Sequence, residues 1–223
     1  MSNPWIDYLK TVDTPTLANA IELLEVRPRQ EGFTPLSVRC VFPEFGRMAA
    51  YAVTAQAESI TKTGPLDLSL FMDLYRAVEA APKPAVVVIQ EIGGHRDYAV
   101  HCGEVMATIF QRLGAVGLVS DCAVRDIPEV RALGFHYFAR GIAASHGNFR
   151  IVRTGVPVQV EGMAVHPGDL LHGDENGLLQ VPAGIAETLP GKVDLIRARE
   201  GRLMEYVRSA EFRLDALHGK MVE

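Results

Sequence analysis

The stretch from residue 103 to residue 129 holds the densest group of side chains that could do chemistry. Gly103 and Glu104 open a predicted helix, and Arg125 and Asp126 follow the next predicted strand. Glycine lets backbone N–H groups approach an anion, and a helix N-terminus presents such donors. Arginine binds a carboxylate through two parallel hydrogen bonds. A carboxylate such as Asp126 suits a hard cation such as Mg2+.

Two further acids extend this candidate anion and metal site. Glu104 and Asp121 could add direct or water-mediated ligation, because both are predicted to lie near the same sheet edge. Each residue also has an ordinary interpretation: Arg-Asp pairs occur in many surface turns, Gly103 could serve helix packing, and Glu129 suits a solvated helix face. Spacing alone is therefore not specific.

Alternating strand and helix patterns predict how these residues meet. Strands are predicted over residues 46–56, 85–90, 115–120 and 135–139. Helices are predicted from Asp13 onward and over residues 66–81, 103–113 and 127–133. This order favours parallel crossovers, with ligands at the carboxyl edge of the sheet.

The last third of the sequence has a different pattern. Short strands are predicted over residues 156–160, 163–165 and 178–181, separated by glycine and proline. A charged helix is predicted from about residue 185 to residue 223. We find no repeat and no linker, so the interpretation is one α/β domain over residues 1–223.

Composition excludes several classes of protein. The formal net charge of −5 gives no basic surface for nucleic acid. Three cysteines cannot complete a disulfide framework, which favours a reducing compartment. The first residues do not resemble a signal peptide, and no apolar run approaches membrane-spanning length. We therefore expect a cytoplasmic protein with no membrane or nucleic-acid partner.

The same motif also carries a family resemblance. Residues 103–108, Gly114, Gly117 and residues 121–126 with Glu129 resemble the signature of the RraA-like superfamily, named for regulator of ribonuclease E activity A. Its enzymatic branch is 4-hydroxy-4-methyl-2-oxoglutarate aldolase. Further segments resemble the family in family order: residues 14–23, 46–54, 138–141, 165–170 and 173–177.

The resemblance implies a fold, an assembly and an activity. The fold is an α/β sandwich around a mixed sheet, of the swivelling-domain type, assembled as a trimer or a dimer of trimers with sites between subunits. The activity is that of a divalent-metal-dependent (class II) aldolase, which cleaves a 4-hydroxy-2-oxo acid to pyruvate and also decarboxylates oxaloacetate. Mg2+ and Mn2+ both suit oxygen ligands.

The resemblance also implies roles for single residues. Arg125 contacts the pyruvate oxygens and stabilises the enolate, Asp126 ligates the metal, and Glu104 helps to position water on the metal. Cleavage also needs a base for the 4-hydroxyl, and our own candidate is a metal-bound water held by Glu104 or Asp121. Backbone amides at the start of the helix are implied to bind the carboxylate of pyruvate: those of Gly103, Glu104, Val105 and Met106.

A neighbouring subunit is expected to complete the site with an acid from its C-terminal helix. Glu200 is the candidate, and Glu205 and Glu211 are the alternatives. The sequence departs from the family pattern at Cys122, where glycine is usual. His101 is also unusual, and it either acts in acid–base chemistry or packs near the pocket.

Two other functions compete with the aldolase. The first is a non-catalytic regulator that inhibits ribonuclease E by protein contacts, but that branch typically replaces the aspartate retained here as Asp126. The second is a methyltransferase, which the absence of a suitable glycine-rich loop argues against. No lysine lies near the motif, so a Schiff-base (class I) route is disfavoured.

Overall fold

A computed structural model describes residues 4–59 and 68–222 of the protein. The strands in these residues are β1 (Arg39–Cys40), β2 (Met48–Ser59), β3 (Ala85–Glu91), β4 (Ala115–Val124), β5 (His136–Ile142), β6 (Phe149–Thr154), β7 (Val158–Val160), β8 (Met163–Val165), β9 (Leu170–Asp174) and β10 (Gly177–Val181). The helices are α1 (Pro4–Leu9), α2 (Thr14–Glu22), α3 (Leu68–Ala80), α4 (Glu104–Arg112), α5 (Ile127–Leu133), α6 (Leu189–Arg208) and α7 (Leu214–Val222).

One large mixed sheet organises the fold. Its strand order is β1-β5-β4-β3-β2-β9-β10, and β6 pairs with the distal half of β2. The four central strands, β2 to β5, are parallel neighbours, whereas β1, β6, β9 and β10 pair antiparallel. Strand β3 lies in the middle and is buried on both faces, which explains its continuous apolar sequence. The predicted α/β class around a mixed sheet is confirmed.

Helices and a hairpin cover the two faces of this sheet. On one face, Leu74 of α3, Phe110 of α4 and Val130 of α5 pack against the central strands. On the other face, the β7–β8 hairpin packs its Val158 and Val165 onto the sheet. Helices α1, α2 and α6 form a third apolar cluster with β9 and β10. These layers leave a cleft open at the carboxyl end of β4.

The structure differs from the sequence expectations mainly at the edges. The predicted C-terminal helix is two helices, because α6 ends at Arg208. The next residue, Ser209, has an extended backbone, and its hydroxyl donates to the Tyr206 carbonyl oxygen. Strand β6 was not predicted, since only its Ile151 is buried and its other side chains are polar or partly exposed. Leu66, the predicted first apolar position of α3, lies outside the described residues.

No helix in the described part of the chain is both long enough and apolar enough to cross a membrane.

His172 ties the N-terminal helices to the sheet. Its ring is fully buried on β9, with Nε2 3.1 Å from the Leu9 carbonyl oxygen and Nδ1 3.0 Å from the Thr14 hydroxyl. A carbonyl only accepts, so Nε2 carries the hydrogen and Nδ1 accepts from Thr14. Burial lowers the pKa of His172 to about 4, from an ordinary value of 6.5. The folded protein therefore holds this ring neutral.

The buried neutral ring should make stability fall in mild acid. Between these two pKa values the unfolded chain binds a proton that the folded chain excludes, so lower pH favours unfolding. We expect the His172 contribution to lower the free energy of unfolding by about 2 kcal/mol between pH of about 7 and about 5. Urea denaturation at these two pH values measures this fall in the free energy of unfolding. Partly buried His136 adds a similar part, because desolvation lowers its pKa to about 4.

The variant His172→Gln should lose stability at neutral pH, and its free energy of unfolding should fall less steeply as the pH is lowered. Exposed His218 on α7 supplies the matched control, and His218→Gln should keep the full slope. An unchanged slope in His172→Gln would contradict the assignment.

Candidate active site

Arg125 and Asp126 stand at the carboxyl end of β4, immediately after its last residue, Val124. The backbone N–H of Arg125 donates to the Cys102 carbonyl at 3.0 Å, which fixes the end of the strand against the chain entering α4. Asp126 adopts a left-handed backbone conformation (φ 57°, ψ 48°) and caps α5. Aspartate is one of the few residues that tolerate this conformation. The turn thus sets both side chains at the sheet edge.

The Asp126 carboxylate joins this turn to α4. Its Oδ2 accepts a hydrogen bond from the Glu104 backbone N–H at 2.8 Å and lies 3.5 Å from Arg125 Nε. Across residues 4–59 and 68–222, no group donates a hydrogen bond to Oδ1. About a third of the side chain is exposed, at 32%. Oδ2 therefore connects this turn to the start of α4, and Oδ1 is available to a ligand.

Gly103 provides the space in which these groups meet. A Cβ at this position would overlap the Asp126 carboxylate and would lie 2.9 Å from Arg125 Nε. Its backbone is extended (φ −135°, ψ −169°), a conformation that any residue can adopt. The requirement for glycine is therefore one of space, not of backbone conformation.

A small cleft of about 90 Å³ opens between these elements. A cleft of this size suits a small ligand or the reacting end of a larger one. The cleft joins the end of β4, the start of α4 and the loop that follows β5. It is lined by Val100, Cys102, Gly103, Val105, Met106, Arg125, Asp126, His146 and Phe149.

Two predicted site residues take part differently from the others. Glu104 contributes its backbone N–H to Asp126, while its side chain is exposed and lies outside the cleft lining. Val105 and Met106 line the cleft in the first turn of α4, where backbone N–H groups have no acceptor within the helix. The structure thus brings Gly103, Arg125 and Asp126 together with the start of α4.

Asp121 lies away from this cleft, which corrects the expectation that it shares the site with Arg125. Its carboxylate is buried inside β4, where Oδ1 accepts from the Glu91 backbone N–H at 2.8 Å and Oδ2 from Arg96 at 2.6 Å. Burial raises the pKa of Asp121 above its ordinary value, although these two partners oppose the shift. An acid engaged in this way does not hold a catalytic water in the cleft.

An irregularity in β4 explains where Asp121 points. Ser120 pairs with Ala139 of β5, but the next paired residue, Ala123, opposes Gly141. Strand β4 therefore advances three residues while β5 advances two, which is a β-bulge with one extra residue. Asp121 and Cys122 occupy the bulge, and both side chains are buried.

His101 belongs to a buried polar network, not to the cleft. Its Nδ1 lies 2.9 Å from the Ser120 hydroxyl and its Nε2 lies 3.1 Å from Glu91 Oε2. Glu91 also accepts from the backbone and hydroxyl of Ser59 and from the Gly93 N–H. Burial would raise the pKa of Glu91, but these hydrogen bonds outweigh it and lower the pKa. Of the two roles considered for His101, the geometry supports packing near the pocket.

Two groups of side chains could hold a metal ion. The first is buried: ligand atoms of Glu91, His101 and Cys122 lie within 4.8 Å of one another. The carboxylate and imidazole there already have internal partners, and burial raises the pKa of the Cys122 thiol, which keeps it neutral. The second is Asp126, with its available Oδ1 and its exposure to solvent. A hard cation that keeps several waters fits Asp126 better.

Glu200 lies on α6, away from the cleft of its own chain. Its carboxylate is 3.4 Å from the Asn19 side-chain nitrogen on α2. It lines a separate cavity of about 630 Å³ between α6 and α7, along with Glu205 and Glu211. Only another copy of the chain could bring one of these acids to Arg125, so their role stays a prediction.

Four residues that line the cleft were not predicted as site residues from the sequence: Val100, Cys102, His146 and Phe149. His146 follows β5 and Phe149 begins β6, more than 20 residues beyond Arg125. No regular spacing links them to the Arg125 motif. A histidine beside glycine in a loop after a predicted strand was the one available signal.

Comparison with known proteins places this geometry in a family. A family model named RraA-like, described as Aldolase/RraA, matches residues 14–179. The chain is 31% identical over 139 residues to the protein named "Putative 4-hydroxy-4-methyl-2-oxoglutarate aldolase" from Halalkalibacterium halodurans, covering 61% of this chain and 63% of that protein. The matches to three curated relatives cover between 22% and 64% of their lengths, less than two thirds in each case.

Solved structures support the same fold. An uncharacterized protein from Pseudomonas syringae pv. tomato superposes with a TM-score of 0.73 at 23% identity, covering 98% of this chain and 94% of that one. RraAS2 of Streptomyces coelicolor, titled an unusual member of the RNase ES inhibitor RraA protein family, superposes with a TM-score of 0.68 at 22% identity, covering 90% and 96%. With the family match over most of the sequence, these findings show that the chain belongs to the RraA-like (Aldolase/RraA) family.

Proposed function

We propose that this protein is a divalent-metal-dependent lyase acting on small 2-oxo acids. It would cleave a 4-hydroxy-2-oxo acid such as 4-hydroxy-4-methyl-2-oxoglutarate to pyruvate and would also decarboxylate oxaloacetate. The observation that carries this proposal is the cleft in which Arg125, Asp126 and the start of α4 meet. The relative named for this aldolase supports the choice of substrate class.

The start of α4 would hold the substrate carboxylate. Asp126 already accepts the Glu104 N–H, so the N–H groups of Val105 and Met106 are the donors left in the first turn. The helix N-terminus adds a favourable electrostatic field for an anion. Gly103 has no side chain to block the approach. These features would orient a 2-oxo acid with its carboxylate toward α4.

Arg125 would stabilise the charge that develops during the reaction. When the carbon–carbon bond breaks, its electron pair moves toward the former carbonyl oxygen of the substrate. A fixed guanidinium beside that oxygen binds the transition state more strongly than the ground state. A divalent cation on Asp126 would supply Lewis-acid polarisation of the same carbonyl. Aldol cleavage and decarboxylation of oxaloacetate generate the same enolate, so one site serves both reactions.

The decisive experiment measures pyruvate release by the purified protein from oxaloacetate and from 4-hydroxy-4-methyl-2-oxoglutarate. We expect turnover of both with added Mg2+ or Mn2+ and loss of turnover after chelation with EDTA, because Asp126 offers a carboxylate oxygen that binds hard cations. 2-Oxoglutarate, which has neither scissile group, serves as the control substrate and should release no pyruvate.

Failure of metal-loaded protein to turn over either compound would reject this proposal. The protein would then be better described as a binding protein, for which inhibition of ribonuclease E through protein contacts is the alternative. A second copy of the chain supplying Glu200, in a trimer or a dimer of trimers, belongs to the same proposal, since no C-terminal acid of the described chain lines its own cleft.

A further inference from the structure

We propose that His146 is the base that takes the proton from the 4-hydroxyl group of the substrate during aldol cleavage. This inference rests on the proposed lyase function and assigns a group that function still needs. Cleavage requires the hydroxyl proton to leave, whereas decarboxylation of oxaloacetate does not. A residue with this role therefore separates the two reactions that share the cleft.

The loop that carries His146 is attached to the end of β4. The Ala143 backbone N–H donates to the carbonyl oxygen of Val124 at 3.1 Å, and Val124 is the residue immediately before Arg125. His146 follows three residues later and lines the cleft together with Arg125 and Asp126. In a cleft of about 90 Å³, a bound small molecule that touches one lining group is close to the others. The imidazole is thus within reach of a substrate held by Arg125.

The imidazole is oriented to act through Nε2. Its Nδ1 contacts the carbonyl oxygen of Gly147, and a carbonyl oxygen can only accept. In the neutral ring Nδ1 therefore carries the hydrogen, which leaves the lone pair on Nε2. The side chain is exposed, so Nε2 is open to a ligand. Histidine is the side chain that most often serves as a general base in enzymes.

The other titratable groups that line the cleft are committed or unsuitable. The guanidinium of Arg125 carries only hydrogen-bond donors. Asp126 accepts the Glu104 N–H through Oδ2, and its Oδ1 is the proposed ligand of the cation. Cys102 is buried, and burial raises the pKa of its thiol to about 12. Among the described residues that line the cleft, His146 is the remaining group that can accept a proton.

The proton and electrons balance in this step. Nε2 of His146 takes the hydroxyl proton, and the oxygen left behind forms the carbonyl of the first pyruvate as the bond between C3 and C4 breaks. The electron pair of that bond moves into the enolate of the second pyruvate, beside Arg125. In both reactions the enolate takes a proton from solvent water at C3, which becomes a methyl group. In cleavage, protonated His146 then gives its proton to the hydroxide left in solvent. No oxidant, reductant or further reactant is needed.

The test compares two reactions in the same variant. His146→Gln should lower kcat for cleavage of 4-hydroxy-4-methyl-2-oxoglutarate by about 10²-fold to 10⁴-fold, the usual loss when a general base is removed. The same protein should decarboxylate oxaloacetate within a few-fold of the wild-type rate, which also shows that it is folded and metal-loaded. Added imidazole should restore part of the cleavage activity to His146→Ala. The control His218→Gln, in exposed α7, should match wild type in both reactions.

Each of the other outcomes would overturn the role of His146, the lyase function or part of it. Equal losses in both reactions would show that His146 binds substrate or shapes the cleft, and unchanged cleavage would show that it has no role; either result overturns the assignment. Wild-type protein inactive toward both substrates would reject the lyase function itself. Wild-type protein that decarboxylates oxaloacetate without cleaving the hydroxy acid would reject the base and the aldolase but keep a decarboxylase.

Discussion

Asp126→Asn should lower the rate of pyruvate formation from both substrates by about 10³-fold. Asparagine tolerates the left-handed backbone at this position, and its amide oxygen can still accept the Glu104 N–H. The substitution removes the negative charge, and with it the affinity for a divalent cation whose Lewis-acid effect is worth several kcal/mol. Each factor of ten corresponds to about 1.4 kcal/mol, which gives the expected size of the loss.

Two measurements separate this effect from a loss of structure. Isothermal titration with Mn2+ should show weaker binding to Asp126→Asn, while the urea midpoint should stay close to that of wild type. Asp97→Asn is the matched control, because that side chain is 82% exposed and should leave metal binding and turnover unchanged. Metal binding retained in Asp126→Asn would show that the cation is held elsewhere, with Glu91, His101 and Cys122 the next place to look.

Gly103→Ala should abolish turnover in both reactions, with a loss of at least about 10²-fold. The added methyl group overlaps the Asp126 carboxylate and presses on Arg125 Nε, so at least one of them must move. A displacement of about 1 Å in a positioning group commonly costs that much in rate. We expect a modest cost in stability, because the backbone of Gly103 suits any residue and the displaced side chains are partly exposed.

The matched control is Gly141→Ala on β5. A Cβ there meets no atom within 4 Å, so this variant should fold and turn over like wild type. Steady-state assays with both substrates and a crystal structure of Gly103→Ala would check the displacement directly. Wild-type activity in Gly103→Ala would mean that the cleft between Gly103 and Arg125 is not where the substrate reacts.

The central part of the fold could be predicted because its elements have strong local patterns. The buried strand β3, the amphipathic helix α4 and the glycine-terminated helix α5 each appear close to the predicted bounds. Right-handed parallel crossovers then place their ends at one edge of the sheet. That reasoning is sufficient to bring Gly103, Arg125 and Asp126 together.

The remaining parts of the site depend on contacts that are distant in sequence. The sequence around Glu91 indicates only the end of a strand, because its hydrogen-bond partners Ser59 and His101 lie in two other segments. His146 enters the cleft only because its loop is hydrogen-bonded to Val124. The position of Asp121 depends on a bulge, which leaves no signature in composition or hydrophobic periodicity. Local sequence patterns therefore predicted the course of the backbone better than they predicted which polar side chains contact one another.

The bulge in β4 also determines toward which face of the sheet the side chains after it point. Side chains alternate along a strand with a period of two, so a single extra residue exchanges the faces of all later positions. Deleting one residue between Ser120 and Arg125 would direct the arginine away from the cleft, whereas replacing a residue there would not. Cys122 stands where glycine is usual and leaves these directions unchanged. The direction of Arg125 therefore depends on the length of this stretch and not on the identity of Cys122.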